Sequence, residues 1–216
     1  MSNNGQPLMR PLAKALLCAA LLTTLSGCVE MMVGSAVAGA VATADRRTFG
    51  AQTEDKSIVV KAEIRGQKVA GEFGHVNYNS FNRRVLLTGE VKDEATRAAV
   101  ERDVRSIEGV QAVDNEIAVS GPSSYTSRSS DALVTAKVKA SLVDMKTISA
   151  NSFKVVTERG TVYLMGRVTQ REGQVAADVT RGVSGVQKVV KMFEYMTEDE
   201  LKALTPPASP SNGTGG

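Results

Sequence analysis

Val162-Tyr163-Leu164-Met165-Gly166-Arg167-Val168 decides the fold, because Val85-Leu86-Leu87-Thr88-Gly89-Glu90-Val91 is its copy. Val85, Leu87, Gly89 and Val91 recur as Val162, Leu164, Gly166 and Val168, each 77 positions on. Both runs are short, apolar and rich in β-branched residues, as a largely buried strand requires. Their surroundings repeat as well. Ile107-Glu108-Gly109-Val110-Gln111-Ala112-Val113 returns 76 positions on as Val183-Ser184-Gly185-Val186-Gln187-Lys188-Val189. At the same offset Asp55, Ile58, Lys61 and Ala62 return as Asp131, Val134, Lys137 and Val138. A period this long that occurs twice marks a duplicated small domain, since solenoids stack more and shorter repeats.

A chain of 216 residues accommodates two such units of about 70 residues each. Units of that size have thin cores and lean on each other. The balance of 26 basic and 23 acidic residues gives +3, and removal of Arg10 and Lys14 with the segment described next leaves +1. Such a balance does not point to nucleic acid. There is one His, no Trp, and both Cys lie in the first 28 residues. A Cys and His zinc cluster cannot be assembled, and a Ser, His and Asp triad would depend on His75 alone. No spacing of Asp and Glu suggests carboxylate chemistry. The expectation is a protein that is not an enzyme and carries no cofactor.

Arg10 and Lys14 precede the apolar run Ala15 to Leu22, followed by Thr23-Thr24-Leu25-Ser26-Gly27-Cys28. A basic start, about ten apolar residues and small residues before a cut make a secretory signal, too short to span a bilayer. Met1 or Met9 opens it. Leu25-Ser26-Gly27-Cys28 resembles the bacterial lipobox, so residues 1–27 are read as the signal and Cys28 as the acylated residue. Several acyl chains on one Cys give stable anchoring. Val29 next to it resembles lipoproteins sent to the outer membrane. Cys18 leaves with the signal, and no disulfide is expected. Residues 28–52 form the lipidated N-terminus and tether, including the small, apolar Met31 to Ala44 and then Arg46-Arg47, which could add weak attraction to anionic lipid.

Residues 53–119 read as helix 55–70, strand 76–79, a turn at Asn82-Arg83, strand 85–91, helix 93–107 and strand 110–119. The Ser-rich stretch 120–130 reads as a linker. Residues 131–196 repeat the order with helix 131–145, strand 153–158, a turn at Arg159-Gly160, strand 161–168, helix 171–183 and strand 186–195. The tail 197–216 is expected to be mostly disordered after a short helical turn. The fold class is α+β, with two tandem αββαβ sandwiches, each a three-stranded mixed sheet with two helices on one face. Gly89 and Gly166 are read as allowing a helix to pack closely on the hairpin. His75 is read as a surface or turn residue. Tyr78 and Phe81 fit either a core or the boundary between the units.

Two αββαβ units with V-x-L-x-G-x-V in the second hairpin strand and G-V-x-x-V after the second helix resemble BON domains. The whole plan, including Arg47-Thr48-x-Gly50-x-Gln52, resembles the dual-BON outer-membrane lipoproteins of Gram-negative bacteria, the DolP/YraP family. The resemblance implies a protein facing the periplasm, enriched at division sites, that recognises anionic phospholipid such as phosphatidylglycerol. It further implies support of outer-membrane integrity and a link to the barrel assembly machinery. It places lipid contact on the first helix of the second unit, with Asp131, Leu133, Ala136, Lys137 and Ser141 as the contact residues. The residues themselves give that helix an inward stripe of Val134, Val138, Leu142 and Met145. Leu133 falls off the stripe, with Lys137 on its flank and Lys139 and Lys146 on the other. An apolar side chain between lysines suits a headgroup boundary, although an aromatic would anchor better there. The alternative is a protein-binding adaptor for envelope or outer-membrane assembly proteins, with Arg83-Arg84 in a hairpin turn as one possible contact.

Overall fold

The structure, a computed structural model, describes residues 45–71, 74–121 and 123–204. The signal, Cys28, the Met31 to Ala44 stretch and the tail from residue 205 lie outside the described residues. The described residues all fall within one compact unit, and both halves and what joins them lie inside it.

The first half opens with α1, Phe49–Ala70, which starts earlier than the expected 55 because Thr48 caps it, its hydroxyl accepting from Ala51 N at 3.1 Å. Strand β1, His75–Phe81, pairs antiparallel with β2, Arg84–Val91, so that Tyr78 faces Leu87. Asn82 (φ 50°) and Arg83 (φ 67°) turn the hairpin, the two successive left-handed residues of a type I′ turn. Helix α2, Glu94–Arg105, is capped by Asp93 accepting from Thr96 N at 2.7 Å. The final strand, expected to run unbroken from 110 to 119, is split into β3, Ala112–Asn115, and β4, Ala118–Val119, both parallel to β2. The first sheet therefore has four strands rather than three. Asn115 Oδ1 accepts from Ile117 N at 3.2 Å, which kinks the backbone while Glu116 N still donates to Leu87 O at 2.9 Å.

The second half opens with α3, Tyr125–Asp144. Within the stretch 120–130, residues 125–130 are helical rather than coil, because Ser124 caps the helix by accepting from Ser127 N at 3.2 Å. After a 3₁₀ turn, Ala150–Ser152, come β5, Phe153–Glu158, and β6, Thr161–Val168, joined by Arg159 (φ 50°) and Gly160 (φ 72°). Helix α4, Gln170–Arg181, begins in a capping box between Thr169 and Glu172. Strand β7, Lys188–Tyr195, pairs parallel with β6, and α5, Glu198–Leu204, follows.

Three apolar layers hold this together. Ile58 and Ala62 of α1 and Val100 and Val104 of α2 pack on Val85, Leu87 and Val91 of β2. Val134, Val138 and Leu142 of α3 and Ala176 of α4 pack likewise on Val162, Leu164 and Val168 of β6. The opposite faces of the two sheets meet each other through Phe81, Leu86, Tyr163, Met165 and Met192. Tyr78 thus belongs to the first core and Phe81 to the boundary. Both halves keep their helices on the outside, so the first helix of each stays at the surface.

The two motif glycines act within their sheets rather than beneath a helix. A Cβ at Gly89, whose φ is +108°, would lie 2.0 Å from the His75 carbonyl oxygen on the paired strand. One at Gly166 would lie 2.4 Å from the Ser152 carbonyl oxygen. Each hairpin therefore needs glycine for close backbone approach.

Candidate functional site

Helix α3 divides lengthwise into two faces. Asp131, Val134, Val138 and Leu142 are buried. At about 100° per residue, Tyr125, Ala132, Leu133, Ala136, Ala140 and Val143 fall in one band on the opposite side, and all of them are exposed. Tyr125 is 84 % exposed, Leu133 57 % and Val143 68 %. Lys137 borders the band beyond Leu133 and Lys139 borders it on the other flank, both exposed. Among the described residues neither lysine is paired with a carboxylate. The reading from sequence placed Leu133, Ala136 and Lys137 on this surface; it missed Tyr125 and Val143, which lie beyond or at the end of the helix then expected.

Ser141 and Asp131 lie elsewhere on the helix. Ser141 is half-buried at the edge toward the sheet. Asp131 turns its carboxylate inward, where Oδ2 accepts from Arg159 N at 2.8 Å and Oδ1 from Gly160 N at 2.9 Å. In the first half Asp55 does the same at the other hairpin, accepting from Asn82 N at 2.7 Å and Arg83 N at 2.8 Å. The repeated aspartate is thus a pin between the first helix and the hairpin turn of each unit, holding two backbone amides of the turn in both. His75 sits at the start of β1 with Nδ1 3.9 Å from Glu90 Oε2.

Arg46 and Arg47 do not lie free for lipid. Arg46 forks onto Glu172, with hydrogen bonds of 2.7 and 2.8 Å, and also donates to Arg167 O at 3.1 Å. Arg47 bridges Asp45 and Asp55 and stacks its guanidinium 4.2 Å from the centre of the Phe81 ring. Consecutive arginines therefore fasten the incoming chain to the second and the first unit respectively. Arg46 also shares a surface hollow with Val143 and Lys146, which puts the entry of the chain beside the C-terminal end of α3.

Among the described residues no helix is long and apolar enough to cross a membrane, and no cluster of His, Cys, Asp and Glu could hold a metal ion. What α3 offers is a shallow apolar surface between cations, suited to an interface rather than to a small enclosed ligand.

The BON domain model matches residues 59–121 and 130–197. The chain is 35 % identical over 190 residues to outer membrane lipoprotein DolP of Haemophilus influenzae, covering 87 % of this chain and 98 % of that one. It is 29 % identical over 154 residues to a 21 kDa hemolysin of Actinobacillus pleuropneumoniae, covering 70 % and 79 % of the two chains. Among solved structures, the C-terminal domain of CdsD, a structural protein of the type III secretion system of Chlamydia trachomatis, aligns at 11 % identity over 65 % of this chain and 98 % of its own. Its TM-score of 0.28 carries no argument.

Proposed function

Because the chain belongs to the BON-domain family, with the domain present twice, we propose that it is a non-enzymatic outer-membrane lipoprotein that reads anionic phospholipid through α3. In this reading acylated Cys28 fixes the protein to the membrane, facing the periplasm, and the protein supports outer-membrane integrity at division sites. The outer-membrane placement is supported by the name of the Haemophilus relative together with the signal and lipobox residues 15–28. The lipid reading is supported by one observation above all: Leu133 is 57 % exposed in an apolar band flanked by Lys137 and Lys139, neither of which pairs with a carboxylate among the described residues.

Each lysine near an anionic surface contributes about 1 kcal/mol, so two of them and a shallow apolar band bind weakly on their own. A tether changes that, because the second contact becomes intramolecular and the local concentration of membrane is high. A weak reader on an anchored protein then selects which lipid patch it occupies.

The test uses a chain beginning at Ala40, which keeps the whole compact unit, in sedimentation with phosphatidylglycerol-containing or neutral vesicles. Preference for the anionic vesicles that weakens with salt and is abolished by Leu133→Glu supports the reading. Equal binding to both vesicles, or binding unchanged by Leu133→Glu, overturns it.

A further inference from the structure

A second surface, away from the α3 band, combines uncompensated positive charge with an apolar wall. Between α1 and β5 lies a groove of ≈ 570 Å³, lined by Arg47, Lys56, Val59, Val60, Ser80 and Lys154 among others. Lys154 is half-buried, and its Nζ makes one hydrogen bond, 3.2 Å to the Ser80 carbonyl. Among the described residues no carboxylate lies within salt-bridge distance of it.

The carboxylates nearby are already engaged. Asp55 also lines the groove, but Oδ1 accepts from Ser80 Oγ at 2.6 Å and Arg83 N at 2.8 Å, and Oδ2 from Asn82 N at 2.7 Å and Arg47 at 2.6 Å. Asp45 is held by Arg47. Burial lowers the Lys154 pKa, repulsion from Arg47 and Lys139 lowers it further, and Asp55 only partly opposes this. Lys56 on the rim has no carboxylate partner among the described residues.

A partly buried ammonium with one neutral acceptor is costly to keep charged, and an anion with several oxygens would satisfy its remaining donors. The wall beside it is apolar. Val59 packs against the first core, Val60 is 52 % exposed, and Ile64, one turn on along the same face, is 61 % exposed. Polar oxygens at one end and an apolar path leading outward describe an amphiphile.

We propose that this groove binds the phosphate of an anionic amphiphile, with Lys154 and Lys56 on the phosphate oxygens and Val59 and Val60 against the start of the acyl chain. The inference rests on the reading of α3 as a contact for anionic lipid, and adds to it one headgroup held between the two domains. Loss of the α3 contact then weakens attachment to a bilayer, while loss of the groove removes capture of a single molecule. The two are separable.

The experiment follows amide NMR shifts of the chain from Ala40 while inorganic phosphate, or dihexanoyl-phosphatidylglycerol kept below its micelle concentration, is added. The expected result is saturable shifts at Val60, Ser80 and Lys154, with the short-chain lipid binding more tightly than phosphate. Affinity falls about tenfold in Lys154→Gln, which removes the charge and keeps an N–H donor. A similar fall in Lys56→Gln, at an exposed position, gives the same reading without touching the domain boundary. Leu133→Glu leaves these shifts in place, so failure of the α3 reading and failure of the groove give different patterns. Equal affinity for phosphate and lipid keeps the phosphate site and assigns it to free phosphate. Absence of shifts at the groove, or affinity unchanged in both lysine variants, overturns the proposal.

Discussion

Arg46 and Glu172 form a two-pronged ion pair, 2.7 and 2.8 Å, with side chains only 10 % and 3 % exposed. The pair joins the residue just upstream of α1 to the capping box of α4, in the other unit. Burial raises the Glu172 carboxyl, but the Arg46 hydrogen bond and the Thr169 amide more than offset this and hold it below its ordinary value. A carboxyl depressed in the folded state contributes stability that is present above its unfolded pKa and is lost as pH falls through the folded one. Arg46→Ala leaves a buried carboxylate without its cation and is expected to cost about 3 kcal/mol at neutral pH. Urea unfolding at pH 7 and pH 4 should show the cost shrinking as acid protonates Glu172.

Glu158 carries the opposite sign. Burial pushes its carboxyl above the ordinary value, Asn77 opposes by donating at 2.9 Å, and Glu90 across the boundary pushes it further up. Glu90 itself is 1 % exposed and no described donor reaches either of its oxygens. A raised carboxyl favours folding below its unfolded pKa, and this contribution is lost as pH rises through the folded pKa. Glu158→Gln keeps an acceptor for Asn77 and removes the charge. Thermal unfolding at pH 7.5 should show a higher Tm, by about 2–4 °C for each kcal/mol relieved. At pH 4 the difference should vanish.

Asp131 separates folding from lipid contact. Its carboxylate accepts two backbone amides of the β5–β6 turn, and hydrogen bonds to a charged group contribute about 1.5–3 kcal/mol each. Asp131→Ala is expected to lower the denaturation midpoint strongly. Asp131→Asn, which retains an acceptor, should lower it less and leave anionic-vesicle binding per folded molecule unchanged.

Met165 is fully buried between the two sheets. Met165→Ala is expected to cost about 2–5 kcal/mol in denaturant unfolding. Since the boundary is shared, fluorescence and circular dichroism should still report one transition at a lower midpoint, not two.

The repeat was readable because it encodes the faces that do the same job twice. Val85, Leu87 and Val91, like Val162, Leu164 and Val168, face helices in both units. Their neighbours do not repeat: Leu86 corresponds to Tyr163 and Thr88 to Met165. Leu86, Tyr163 and Met165 face the other sheet, where two unlike surfaces meet, so alternation within the motif already held the boundary. Asn82-Arg83 and Arg159-Gly160 were legible as turns from local chemistry. The start of α3 was not, because a run of serines reads as coil until one of them, Ser124, caps a helix. The groove at Lys154 was not legible either, since α1 and β5 are distant in the chain and meet through the packing of the two sheets.

Residue-by-residue amide NMR shifts of the chain from Ala40, with phosphatidylglycerol-containing bilayer discs against neutral ones, test the central claim most directly. The account predicts perturbation along Ala132, Leu133, Ala136, Ala140 and Val143 with the anionic discs and far less with the neutral ones. Shifts confined to other surfaces, or none with either disc, would contradict it.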